Sequence, residues 1–272
     1  MQTRSVEPVR VALRAAACSP LAFALAGCDS LQGARGADSI LVAFSPTSTP
    51  QDAAELALDR FNPDNRFRGI NLLADADFGG AEVYLRLYED AIEDEDAGVR
   101  QAGVRALGLH GVPEHAQLIA QRLTDPVDGV RVAAARALQR LHNTDATPAL
   151  MVAISTANET NPDVRAEAAH ALGQYRQFPV LDALISALDD PSLLVNKATL
   201  EALETLTGQN FGLDRVAWTD WLEEAERPFL AGRVYAYPGF KRDRRLLEYL
   251  PFVPGPPNEP AGAPIGLPRD GG

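Results

Sequence analysis

The sequence predicts an all-α fold: an α-solenoid, a superhelical stack of about five helix hairpins with a C-terminal capping helix and an extended tail. Three observations carry this prediction. A ten-residue pattern recurs four times at spacings of 31 to 34 residues. Within each copy the small and apolar residues fall on one face of a helix. The chain is also rich in alanine and leucine with only 7% aromatic residues, which favours closely packed helices over strands, since strands draw on Val, Ile, Tyr and Thr.

Residues 1–27 read as a targeting segment. Arg4, Arg10 and Arg14 stand against a single acid, Glu7, and residues 15–27 are free of charge. A basic start followed by a short apolar stretch is the layout of a secretory signal peptide, and the stretch is shorter than the roughly 20 residues needed to cross a bilayer. Leu25-Ala26-Gly27-Cys28 resembles the lipobox of bacterial lipoproteins. That resemblance implies cleavage before Cys28 and acylation of its sulfur. Each acyl CH₂ buried in lipid contributes about 0.8 kcal/mol, so two or three chains hold firmly. It also implies a lipid-anchored location at the cell membrane or outer membrane, facing the periplasm or the exterior. The alternatives are a Cys18–Cys28 disulfide or a buried N-terminal helix. Residues 28–48, rich in Gly, Ser and Ala, read as a flexible tether.

The repeat domain is expected over residues 49–229. Its four full copies begin at Val99, Val130, Val164 and Val195, and a divergent fifth begins at Asn65. In the second full copy, Val130, Ala133, Ala134, Ala137 and Leu138 share one helical face. Alanine at the middle positions lets neighbouring helices approach closely. A second apolar segment follows each first one, at 81–92, 114–123, 146–155 and 179–188. Asp125-Pro126 and Asp190-Pro191 are expected to place a capping acid before a proline in a first helical turn. An acid precedes each repeat valine by five residues: Asp94, Asp125, Glu159 and Asp190. A single hairpin cannot bury its apolar face alone, so stacking supplies the core.

The pattern D-x-x-x-x-V-R-x-x-A-x-x-A-L-G resembles short HEAT-like repeats, including those named after phycobilisome lyases. One basic residue follows each helix start, Arg66, Arg100, Arg131 and Arg165, and Asn196 breaks the series. The resemblance implies that these arginines form a structural ladder with the acids of neighbouring turns. A binding stripe is the other reading.

Toward the C-terminus, Thr207-Gly208 ends one helix and Asp214 is placed to cap the next, which carries Trp218 and Trp221 three residues apart. Both tryptophans are expected in the core of the terminal cap. Residues 230–272 form a tail. Its first part mixes Tyr235, Tyr237 and Tyr249 with Lys241, Arg242, Arg244 and Arg245, and residues 251–268 hold seven prolines. The expected conformation is an extended basic part laid along the acidic solenoid, with a docking strip for a partner or an anionic headgroup surface as the other reading, and an extended or disordered proline-rich part.

No catalytic set is visible, and neither a cofactor nor a metal is expected. The four histidines are scattered, and no H-E-x-x-H, C-x-x-C, phosphate-binding loop or G-x-S-x-G occurs. The iron-binding His-Glu pairs of the HEAT-repeat enzyme deoxyhypusine hydroxylase are missing. A formal charge of -12 argues against nucleic-acid binding, which needs clustered cations, and disfavours contact with anionic membrane surfaces. It points instead to protein partners that are cationic. The function expected from these features is a membrane-tethered scaffold of the cell envelope with no activity of its own. The alternatives are a bilin-lyase-like or other protein-modifying enzyme, or a structural envelope component.

Overall fold

The computed structural model of the chain describes residues 49–239, 241, 243–249 and 259–268. The signal segment, Cys28 and the tether lie outside them. Among the described residues there are eleven α-helices and, in place of strands, two isolated β-bridges. The helices are α1 Pro50–Ala57, α2 Pro63–Ala74, α3 Glu82–Ala91, α4 Ala97–His110, α5 Ala116–Gln121, α6 Asp128–Leu138, α7 Thr147–Ala153, α8 Pro162–Leu172, α9 Phe178–Ala187, α10 Leu193–Thr207 and α11 Arg215–Glu224. The fold is therefore an α-solenoid. Helices α2, α4, α6, α8 and α10 carry the repeat pattern, and each is followed by a shorter partner.

Local chemistry sets most of the boundaries. Asn62, Asp96, Asn161 and Asp214 accept hydrogen bonds from the first-turn amides of α2, α4, α8 and α11. Gly208 ends α10 in the left-handed region at φ 71, where glycine escapes the Cβ clash that other residues suffer. Helix α1 has no counterpart among the helices expected from the repeat. It opens with a capping box between Thr49 and Asp52 and a proline at its first turn. Its face packs against α2, where a Cβ on Gly69 would lie 2.6 Å from the Ala53 carbonyl oxygen.

Two caps differ from expectation. Val127 and Ser192 precede α6 and α10, and neither helix has a side-chain cap. Pro126 and Pro191 lie in the turns, outside these helices. Asp125 and Asp190 accept through Oδ1 from the amides two residues on, at Val127 and Ser192, and both oxygens of each also accept from the arginine of the preceding repeat.

The core repeats with the sequence. Val99, Val130, Val164 and Val195 are buried, as are Leu73, Leu107, Leu138, Leu172 and Leu203 eight residues into their copies. Each such leucine contributes about 1.5–3 kcal/mol relative to an exposed one. The first helices touch along their length, whereas the second helices barely touch one another. Small residues make this possible: a Cβ on Gly108 would lie 2.8 Å from that of Ala137, and one on Gly173 would lie 3.3 Å from that of Ala202. Unequal spacing of the two rows bends the stack toward the closer row, so the repeat helices form the inner row.

Candidate interaction surface

The N-terminal edge of the inner row carries the four arginines. Each donates through Nε to the acid of the next repeat: Arg66 to Asp94 at 2.8 Å, Arg100 to Asp125 at 2.8 Å, Arg131 to Glu159 at 2.6 Å and Arg165 to Asp190 at 2.7 Å. In every case Nη2 reaches the second carboxylate oxygen, so each pair is a two-point fork. Nη1 turns back to a carbonyl oxygen at the start of its own repeat, on Asp59, Asp94, Asp125 and Glu159 in turn. Each acid also accepts the amide two residues on. The result is one continuous polar line through five repeats. It tolerates unequal spacing, since the paired residues are 28, 25, 28 and 25 positions apart.

This line is mostly shielded from water. The four acids are 14%, 3%, 5% and 1% exposed at the side chain. Burial acts to raise the carboxyl pKa values of Asp94, Asp125 and Glu159, yet the arginine and amide hydrogen bonds hold all three below their ordinary values. The same hydrogen bonds raise Arg66, Arg100 and Arg131. The series stops at Asn196, whose Oδ1 is buried without a partner among the described residues.

The exposed chemistry lies elsewhere. Arg105 and Arg136, on the outward side of the inner row, pair with Asp75 and Glu167 of adjacent repeats. The α2–α3 hairpin and its flanking turns carry a cluster of negative charge, with Asp64, Asp75, Asp77, Glu82, Asp90, Glu93 and Glu95 all exposed. Asp64, Asp77 and Asp90 have no ion pair among the described residues. Phe61 and Phe67 are exposed in the same region, Phe61 at 96%. At the opposite end Trp218 is fully buried and donates from its indole nitrogen to the Gly212 carbonyl at 2.9 Å. Trp221 is partly buried and meets Trp218 edge to face at 6.0 Å, with Phe211 against both rings.

The C-terminal edge of the inner row is covered by the tail. Residues 233–237 run along it, held by a hydrogen bond from the Arg233 amide to the Thr205 carbonyl and by the buried Tyr235 ring against Gly173. Residues 259–268 then return and pair with the 140–142 turn. The Ile265 amide donates to the Arg140 carbonyl, and the His142 amide donates to the Ile265 carbonyl, both at 2.8 Å. Tyr237 pairs with Gly262, the Arg140 guanidinium lies 4.8 Å over the Tyr237 ring, and Glu259 bonds Arg140. These residues are extended, and backbone pairing, aromatic rings and the ion pairs of Arg233 with Glu204 and Glu259 with Arg140 hold them. Position 242 is outside the described residues.

The histidines serve local packing. A His110 ring nitrogen lies 2.7 Å from the Ala74 carbonyl, His115 bonds Glu89, and His142 stacks on Tyr175 at 4.9 Å. Among the described residues no cluster of His, Cys, Asp and Glu is arranged to hold a metal, and no helix is long and apolar enough to cross a membrane.

A family model described as HEAT repeats matches residues 51–135 and 118–204, together more than half the chain. No curated protein sequence matches it. Among solved structures, the complex of CpcE and CpcF of phycocyanin lyase from Nostoc sp. is 22% identical, covers 66% of this chain and 71% of that one, and has a TM-score of 0.49. Human deoxyhypusine hydroxylase is 18% identical over 58% of this chain and 85% of its own, with a TM-score of 0.27. The Escherichia coli structural-genomics target YibA is 17% identical over 73% and 93%, with a TM-score of 0.32.

Proposed function

From the premise that the chain belongs to the HEAT-repeat family, we propose that it is a non-catalytic scaffold, held to an envelope membrane through Cys28, that docks a cationic protein partner on its N-terminal hairpin, α2 and α3, and the turns that flank it. The observation that carries this reading is the exposed acid there, seven side chains between positions 64 and 95. Next to them stand Phe61 and Phe67, apolar contacts of the kind a partner covers. The acids of the ladder are spent inside the stack, so the partner meets the outer set. Charge of one sign steers association and makes it sensitive to salt.

The test is crosslinked capture from envelope extracts, identified by mass spectrometry. A partner is expected whose yield falls about tenfold when Asp64→Asn, Asp77→Asn and Asp90→Asn are combined, a loss of about 1.4 kcal/mol. Capture that ignores both these changes and added salt would sink the docking assignment. For the anchor, the mature N-terminal peptide should carry acyl chains on Cys28, and Cys28→Ala should move the protein to the soluble fraction. A purified protein carrying a chromophore or metal would turn the assignment toward an enzyme.

A further inference from the structure

We propose that the C-terminal edge of the inner row is a docking seat for the tail of a second copy, so that two chains exchange residues 259–268 and pair about a two-fold axis. The occupant is identified by the tail that each chain already seats on itself. Leu141 is fully buried. The backbone on either side of it is bonded by one tail residue, Ile265, which accepts from the His142 amide and donates to the Arg140 carbonyl. Main-chain pairing of this kind is how an extended segment adds to the backbone of another chain.

Side chains make the seat selective. Glu259 bonds Arg140 and lies 3.7 Å from Arg105, so one carboxylate meets two guanidinium groups. Gly266 has φ 86, and a Cβ there would lie 2.5 Å from Pro113 Cγ and 3.0 Å from the His142 carbonyl oxygen. The seat therefore reads a carboxylate and, beyond it, a glycine in the left-handed region. A second copy carries both, and nothing in these contacts requires seat and tail to share a chain.

The tail is held from outside. Of residues 259–268 only Pro264 is buried, and the Ile265 side chain is 47% exposed. A groove of about 790 Å³ stays open between tail and stack, whereas dense packing leaves few voids larger than a water molecule. Backbone bonds and one carboxylate carry the docking, and the tail of a second copy supplies the same set.

Chain length lets the tail cross. Residues 250–258 separate Tyr249 from Glu259, and a stretch of that length spans up to about 30 Å when extended. That is the width of a small domain, enough to reach a seat on an adjoining copy. The contacts are the same in either arrangement, so concentration decides between them. The connection holds a tail near its own seat at an effective concentration of about 1 mM. Dilute chains close on themselves, and crowded chains exchange.

The experiment mixes two full-length variants, each broken on one side. Arg140→Glu sets a carboxylate against Glu259 and spoils the seat, while its tail is intact. Gly266→Ala spoils the tail, while its seat is intact. Neither substitution touches the ladder, and helical content at the wild-type level by circular dichroism shows that the fold is kept. Each variant alone should sediment as a monomer. Their equal mixture should form a one-to-one dimer at a concentration at least about tenfold below that at which either variant associates alone. A chain carrying both substitutions should pair with neither variant. In the wild-type chain at about 1 mM, mixed from isotope-labelled and unlabelled copies, contacts between Gly266 and Pro113 should be seen across molecules by nuclear magnetic resonance. A mixture no more associated than its parts overturns the proposal. So does association that survives in the doubly substituted chain, or wild-type contacts confined to single molecules.

Discussion

The two long edges of the inner row are sealed in opposite ways. At the N-terminal edge, each repeat supplies its own closure: an arginine and an acid at fixed positions, joined across the repeat boundary at 2.6 to 2.8 Å. At the C-terminal edge the repeats supply nothing equivalent, and a non-repetitive tail lies across the turns. One seal is ionic, distributed and periodic. The other combines backbone pairing, aromatic rings and single ion pairs, and depends on a segment as far as 119 residues away in the chain. The contrast teaches that periodic sequence encodes periodic contacts, while a single long-range contact leaves no periodic trace.

The sharpest way to break this comparison is Arg131→Ala, which leaves the nearly buried Glu159 without its cation. A loss of about 3–5 kcal/mol is expected in chemical denaturation. Converting the pair together, Arg131→Met with Glu159→Leu, should restore most of it, because no isolated charge then remains. A single-mutant loss below about 1 kcal/mol would mean that the pair behaves like an exposed surface bridge.

Removing residues 259–272 tests the other edge. Four backbone hydrogen bonds, at Ile265 and Gly262, and the Arg140–Glu259 pair are lost, for a cost of about 2–4 kcal/mol. Amide exchange should quicken around 140–142 and 235–237 and stay unchanged beside the ladder. Equal exchange at both edges would show that the two seals are coupled.

Acid separates the edges further. Asp94, Asp125 and Glu159 titrate below their ordinary values of 3.8, 3.8 and 4.5. Their stabilisation is complete above those values and is lost as pH falls through the lowered folded-state values. Melting temperature should therefore hold between pH 8 and about pH 5 and fall below about pH 4. The smallest effect belongs to His142, whose pKa burial lowers from 6.5 against the hydrogen bond to Gln174. The neutral ring is favoured in the fold, so its contribution is present above pH 6.5 and fades as pH drops below that value. His142→Phe should flatten any change in melting temperature between pH 7.5 and pH 5.5.

Much of the fold was legible because spacing alone defines it. Valines 31 to 34 residues apart recur as buried helix starts, and the small residues at 108, 137 and 202 sit where helices meet. The ladder positions were visible as residues, while their pairing partners one repeat on needed the geometry of the stack. Helix α1 was missed because it lacks the repeat pattern, although Thr49 and Asp52 write a capping box. Asp125 and Asp190 were misread as caps, since a capping acid and an acid awaiting an arginine look alike along the chain. The tail's docking, and with it the setting of Tyr235, His142 and Gln174, joins positions about a hundred residues apart that share no motif.

The alternating intervals along the ladder have an evolutionary consequence. Each rivet fastens positions tied to the start of a repeat, and the longer intervals carry their extra residues in turns, at 75–81 and 154–161, so insertions or deletions of this size in the turns leave the seam closed. The connections between helices can therefore change in length while the inner seam stays the same, and diversification is steered to the turns.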